Sequence, residues 1–160
     1  MEDKIGYEPV WTLRKYENDK AYEEKTPYEV KTIEGNLLLN EGITRFLNLL
    51  IGGGGTTFAN ANAYIGVGDS STAASASQTG LQAATNKLYK AMEATYPQIA
   101  SQTVTFRSVF GSSEGNFAWE EFTVANGNSD ASENLNRKVS SQGTKSSGQT
   151  WTLDLTITFS

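Results

Sequence analysis

The run Thr150–Phe159 restricts the fold more than any other stretch of the chain. Trp151, Leu153, Leu155, Ile157 and Phe159 alternate with Thr152, Asp154, Thr156 and Thr158, and a period of two puts each set on its own side of an extended strand. One side is core and the other faces water. Burying the five apolar side chains contributes on the order of 10 kcal/mol before entropy, at about 1.5–3 kcal/mol each. A strand of this quality needs sheet partners, and the sequence offers several. Thr103–Phe110 places Val104, Phe106 and Phe110 on one face, residues 117–124 form a further strand after a turn at 111–115, and residues 63–69 read as a strand with packing glycines.

A chain of 160 residues suffices for one domain with a real core but not comfortably for two. Its apolar fraction is 38%, and Gly, Ser, Thr, Asn and Ala are abundant, which suits short strands joined by turns. The expected class is mainly β: an antiparallel β-sandwich or jelly-roll-like domain with one or two helices and an extended N-terminal arm. Charge supports the arm, because residues 1–34 hold six basic and nine acidic side chains while the remainder is mostly neutral. Residues 1–34 are therefore expected to be a charged arm that carries strands, and residues 35–160 the β-rich domain. Within the arm, residues 10–16 and 28–33 alternate bulky apolar with polar side chains. Such strands pair either with their own domain's sheet or with a neighbouring subunit by strand addition. Trp11, Leu13, Tyr16, Tyr28 and Val30 are on this reading the candidate partner-binding residues.

Residues 37–51 carry the one strong helical period, with Leu39, Ile43, Phe46, Leu47 and Leu50 three and four apart and Asn36 or Asn40 as the expected cap. Gly52 to Gly55 ends that helix and acts as a hinge or turn. It trails a helix and lacks a following Gly-Lys-Ser/Thr, so it does not fit a phosphate loop. Gly66-Val67-Gly68 opens a dinucleotide fingerprint that fails at Ser71. Residues 81–96 are expected to include a short helix around Leu81, Leu88 and Met92.

Catalytic chemistry finds little footing. Histidine and cysteine are absent, which removes the commonest general base, the commonest metal ligand and the thiol nucleophile. Glu120 and Glu121 are adjacent on an expected strand, so they point to opposite faces and cannot flank one substrate. Asn126 to Asp130 spaces oxygen ligands at every second residue like a calcium loop, but the first ligand is Asn and the closing Glu is missing, so a polar turn is expected. Ser141 and Lys145 share a loop without a Ser-x-x-Lys motif. Trp11, Trp119 and Trp151 are expected in the core. The chain is thus expected to be no enzyme, with no catalytic residue, cofactor or metal. Its net charge of -5 argues against nucleic acid as partner, no apolar stretch approaches a membrane span, and the start Met1-Glu2-Asp3-Lys4 lacks the pattern of a signal peptide.

Several segments together, residues 35–43, residues 65–74, Trp119-Glu120-Glu121-Phe122, Leu135-Asn136-Arg137-Lys138 and Thr150-Trp151-Thr152-Leu153, resemble a family of small structural proteins of tailed bacteriophages. The resemblance runs from about residue 35 to the C-terminus. It implies a role in virion assembly, here as a capsid decoration or cement protein that binds the outer surface of the major capsid protein lattice and stabilises the head. It further implies self-association as a dimer or trimer, synthesis in the host cytoplasm and residence on the capsid exterior. The alternatives are a tail or baseplate subunit and, from a different class, a carbohydrate-binding β-sandwich.

Overall fold

A computed structural model describes residues 3–160. The chain runs β1 (Tyr7–Tyr16), α1 (Asp19–Glu23), β2 (Glu29–Glu34), β3 (Leu37–Leu38), α2 (Asn40–Leu50), β4 (Tyr64–Gly68), β5 (Lys87–Ala91), β6 (Gln98–Ala100), β7 (Thr103–Phe110), β8 (Glu121–Ala125), β9 (Asn136–Val139) and β10 (Thr150–Phe159). These strands form two antiparallel five-stranded sheets, ordered β2-β1-β10-β7-β6 (sheet A) and β3-β9-β8-β4-β5 (sheet B). The fold is mainly β and is a β-sandwich.

The apolar set of β10 faces inward as its alternation requires, but the polar side is not wet as expected: β10 is the central strand of sheet A, and Thr150, Thr152 and Asp154 are buried as well. Trp151, Leu153, Leu155 and Ile157 point into the core, where they meet Trp11 and Leu13 of β1, Phe106 and Phe110 of β7, and Ile65, Val67, Phe122 and Val124 of sheet B. At one end Trp119 packs edge-on against Phe110 at 4.8 Å and Trp151 at 5.0 Å, within the range where such ring pairs add to plain burial. All three tryptophans are buried.

Of the two pairings open to the strands of the N-terminal segment, the structure shows the one with their own domain's sheet. Within residues 1–34, β1 pairs along its whole length with β10 on one side and with β2 on the other. It is the second strand of sheet A and not an appendage. High charge concealed this, because the charged residues of the segment occupy the outward positions, the turn and the edge, while Trp11 and Leu13 alternate inward. One charged inward position is Lys15, which is buried, donates to the Gln142 carbonyl and lies 4.5 Å from the Trp151 ring centre. A long side chain can bury its stem and keep a partner for its amine.

Two local expectations also change. Leu37 and Leu38 pair with β9 as a short strand, so α2 begins at Asn40, and no asparagine caps it. Leu39 occupies the cap position with its side chain fully buried. The backbone N–H groups of Leu39 and Asn40 donate to the carbonyls of Leu135 and Ala76, at 3.0 and 2.8 Å, which satisfies two of the four N–H groups that a helix start leaves without an intrahelical partner. The helix expected within residues 81–96 is replaced by β5, an edge strand on β4; Thr85, Asn86 and Thr95 are poor helix formers, and the free edge of sheet B outweighs local preference.

Candidate functional site

Helix α2 lies across one end of the sandwich, and its seat is asymmetric. Gly42 is buried so close to residue 135 that a Cβ there would stand 2.5 Å from the Leu135 Cα and 2.7 Å from its carbonyl carbon. The Glu41 carboxylate accepts the Asn134 backbone N–H at 2.7 Å, and Arg45 is ion-paired with Glu133 and donates to the Gly54 carbonyl at 2.9 Å. Burial raises the Glu41 carboxyl above its ordinary value even though the Asn134 N–H acts against it, whereas Arg45 and Asn126 lower that of Glu133. One edge of the helix is thus tied down by polar bonds.

Its apolar face is not filled in the same way. Phe46, Leu47, Leu50 and Ile51 are 49%, 52%, 70% and 80% exposed. Beside Phe46 and Leu47 lies a groove of about 420 Å³ between α2 and the inner face of sheet A, walled by Ile43, Phe46 and Leu47 from the helix and by Tyr7, Val104, Ile157 and Phe159 from the sheet. The exposed lining is wholly apolar. A ring contact of 6.4 Å between Phe46 and Phe159 spans it. Tyr7 contributes its ring and donates its hydroxyl to Asn36 Oδ1 at 2.8 Å; burial pushes that hydroxyl up to about 12, against the opposing effect of its hydrogen bonding with Asn36 and Asn136. Apolar surface gathered in one place on a domain marks a site where another molecule is covered or covers.

The five residues singled out in the sequence are divided. Trp11, Leu13 and Tyr16 are buried in the chain's own structure and are unavailable to a partner. Tyr28 and Val30, at and beside the β2 edge, are half exposed. The sequence did mark Ile43, Phe46, Leu47 and Leu50 as sharing one helical period. Periodicity reports which residues share a side, not what lies opposite it.

The candidate chemical groups are occupied structurally. Glu121 is fully buried, accepts the Arg137 Nε at 2.7 Å and receives backbone N–H groups of Gln82 and Ala83 at 2.9 and 2.8 Å. Arg137 in turn donates to the Thr72 carbonyl at 2.8 Å and to Gln78 at 3.1 Å. Glu120, on the other side, accepts the Ser141 hydroxyl. Asp130 is ion-paired with Lys87 and accepts the Tyr89 hydroxyl at 2.5 Å; burial, with that bond, holds the Tyr89 proton far above its ordinary range. Asn126 bridges Glu133 and the Thr56 carbonyl. Lys145 is buried, donating to the Gly111 carbonyl and Asn116 Oδ1 at 2.7 and 2.8 Å, and burial brings its amine down to about 8. Its partners do not include the Ser141 hydroxyl. Among the described residues no group of three or more acidic, histidine or cysteine side chains could hold a metal ion, and no helix is long and apolar enough to cross a membrane.

No protein-family model matches this chain, and neither a curated protein nor a solved structure is significantly similar to it.

Proposed function

We propose that this chain is a non-catalytic assembly protein of a phage particle, a capsid decoration protein that docks onto the major capsid protein through the apolar face of α2. The observation that carries the docking reading is the groove lined by Ile43, Phe46 and Leu47, whose exposed lining is apolar throughout, with Leu50 exposed beside it on the same helix. Interfaces take their energy from a few well-desolvated aromatic and aliphatic anchors, and a groove of this kind accepts such an anchor from the partner. The placement in a virion rests on the sequence resemblance. Engagement of Glu121, Asp130 and Lys145 in internal bonds supports the non-catalytic part. Of the earlier candidates only Tyr28 and Val30 remain accessible for a secondary contact along the β2 edge.

Quantitative mass spectrometry of purified particles tests the reading. A copy number near that of the capsid protein is the expected result, and loss of attachment in a Leu47→Ser/Leu50→Ser variant locates the contact. A copy number tens of times lower assigns the chain to tail or baseplate, and its absence from particles overturns the virion reading.

A further inference from the structure

The outer face of sheet A holds a second feature, away from the α2 groove. Arg14 of β1 and Arg107 of β7 reach toward Asp154 of β10, the strand between them; Asp154 pairs with Arg107 across the sheet, and Arg14 pairs with Thr152, two residues along. Arg107 binds both carboxylate oxygens, at 2.8 and 2.6 Å, and Arg14 binds one at 3.2 Å. Asp154 is almost fully buried, while the two arginine side chains are about one third exposed (34% and 33%). The carboxylate therefore fixes two guanidinium planes whose other N–H groups, Nε and Nη2 of Arg14 and Nη1 of Arg107, take no bond from the described residues. These two side chains line a pocket of about 360 Å³ together with Tyr22, Lys25, Val109 and Thr152.

Lys25 is the most informative member. Its amine stands over the Tyr22 ring, 4.1 Å from the centre, and no carboxylate among the described residues pairs with it. Its backbone has φ +58°, a left-handed conformation that costs a non-glycine residue roughly 1–2 kcal/mol. This position, just after α1, is one that glycine ordinarily occupies. A lysine held there at a conformational cost, on an aromatic ring and beside two fixed arginines, is organised to meet a negative charge. Of the charges here, three cations face Asp154 and Glu93, the latter felt at the Tyr22 hydroxyl, which burial and then Glu93 hold above its ordinary value. The balance is one positive charge, suited to a monoanion rather than to a phosphate dianion. The volume is at the small end for ligand pockets, and Val109 offers an apolar wall beside the Thr152 hydroxyl.

We propose that this pocket binds a ring-sized monocarboxylate, an acidic sugar unit, whose carboxylate lies between Arg14, Arg107 and Lys25 and whose ring rests against Val109 beside the Thr152 hydroxyl. Such a unit is available as a free sugar acid or as the end of an acidic polysaccharide, and neither source bears on whether α2 docks to capsid.

The test is titration of the isotope-labelled full chain by NMR with glucuronate, with a short glucuronate-containing oligosaccharide, and with glucose, acetate, inorganic phosphate and an aspartate-containing tetrapeptide. Saturable shifts at residues 14, 25 and 107 with glucuronate, and at least tenfold weaker responses to glucose and acetate, are expected. Tighter binding of the oligosaccharide assigns the polymer as source, and equal binding assigns the free acid. Lys25→Gly keeps the backbone conformation and removes the amine: it should weaken glucuronate about tenfold, the scale of one charge-assisted bond, while raising the melting temperature. Lack of saturation, equal binding of glucose, preference for phosphate or for the peptide, or an unchanged affinity in Lys25→Gly would each overturn the proposal.

Discussion

Two segments cover parts of this sandwich in opposite ways. Residues 69–86 form no helix or strand, yet they are held through the buried Glu121–Arg137 pair, which gathers Thr72, Gln78, Gln82 and Ala83 with five directed bonds. Helix α2 is regular, yet it is tied along one edge and leaves its apolar face over an open groove. Regular secondary structure satisfies a segment's own backbone; anchorage depends on what its side chains meet. In this molecule the irregular segment is the anchored one, and the regular one holds surface in reserve.

The largest effect is expected from breaking the clamp. Glu121→Gln leaves the Arg137 guanidinium buried without its counter-charge, which costs about 3–5 kcal/mol; thermal unfolding should shift down by roughly 10 °C or more, and amide exchange should rise across residues 69–86. Gly42→Ala attacks the tied edge of α2. Its Cβ cannot share space with the Leu135 backbone, so the helix must move, with an expected loss of about 1–3 kcal/mol and a change in the groove visible as shifted Phe46 and Phe159 resonances. An unchanged melting curve would mean that α2 is even less anchored than its bonds suggest.

Lys145 sharpens the comparison from a third side, since it is a buried charge held only by neutral acceptors. Its folded value near 8 lies below the unfolded value of about 10.4. Between those values the unfolded chain retains a proton that the folded chain has released, so stability climbs as pH rises through that window. Near pH 10 the raised Tyr7 hydroxyl begins to act in the opposite sense, because the folded chain then keeps a proton that the unfolded chain loses. Melting curves from pH 7 to 10 should therefore move in favour of the wild type relative to Lys145→Met, by a few degrees at most; parallel profiles would remove Lys145 as a source of strain. The smallest effect on stability belongs to Leu47→Ser/Leu50→Ser. Both side chains are more than half exposed, and the melting temperature should change by no more than a degree or two, although partner binding should disappear.

How far the sequence foretold this follows from what each signal measures. The faces of β7 and β10 and the burial of all three tryptophans were legible, because alternation is a local property of the chain. The status of β1 was not: its charge density suggested an arm, and only pairing with β10, more than a hundred residues away, makes Trp11 and Leu13 core. The same limit applies to the candidate site. The apolar period of α2 was visible, but the groove exists because sheet A extends Tyr7, Val104 and Phe159 beneath that helix, and no local pattern contains that encounter. The Arg14–Asp154–Arg107 group was equally hidden, since its members come from three separate strands.

The pairing of β1 with β10 also sets a clock on synthesis. A ribosome adding ~5–20 residues per second needs on the order of ten seconds to pass from the first of these strands to the second. Throughout that interval Trp11 and Leu13 have no inner neighbour on the β10 side, and the nascent β1–β2 hairpin presents an unpaired edge, the kind of surface that invites wrong pairing. Closure of sheet A accordingly waits until β10 emerges, and the many long-range pairings that depend on it favour slow, all-or-none folding.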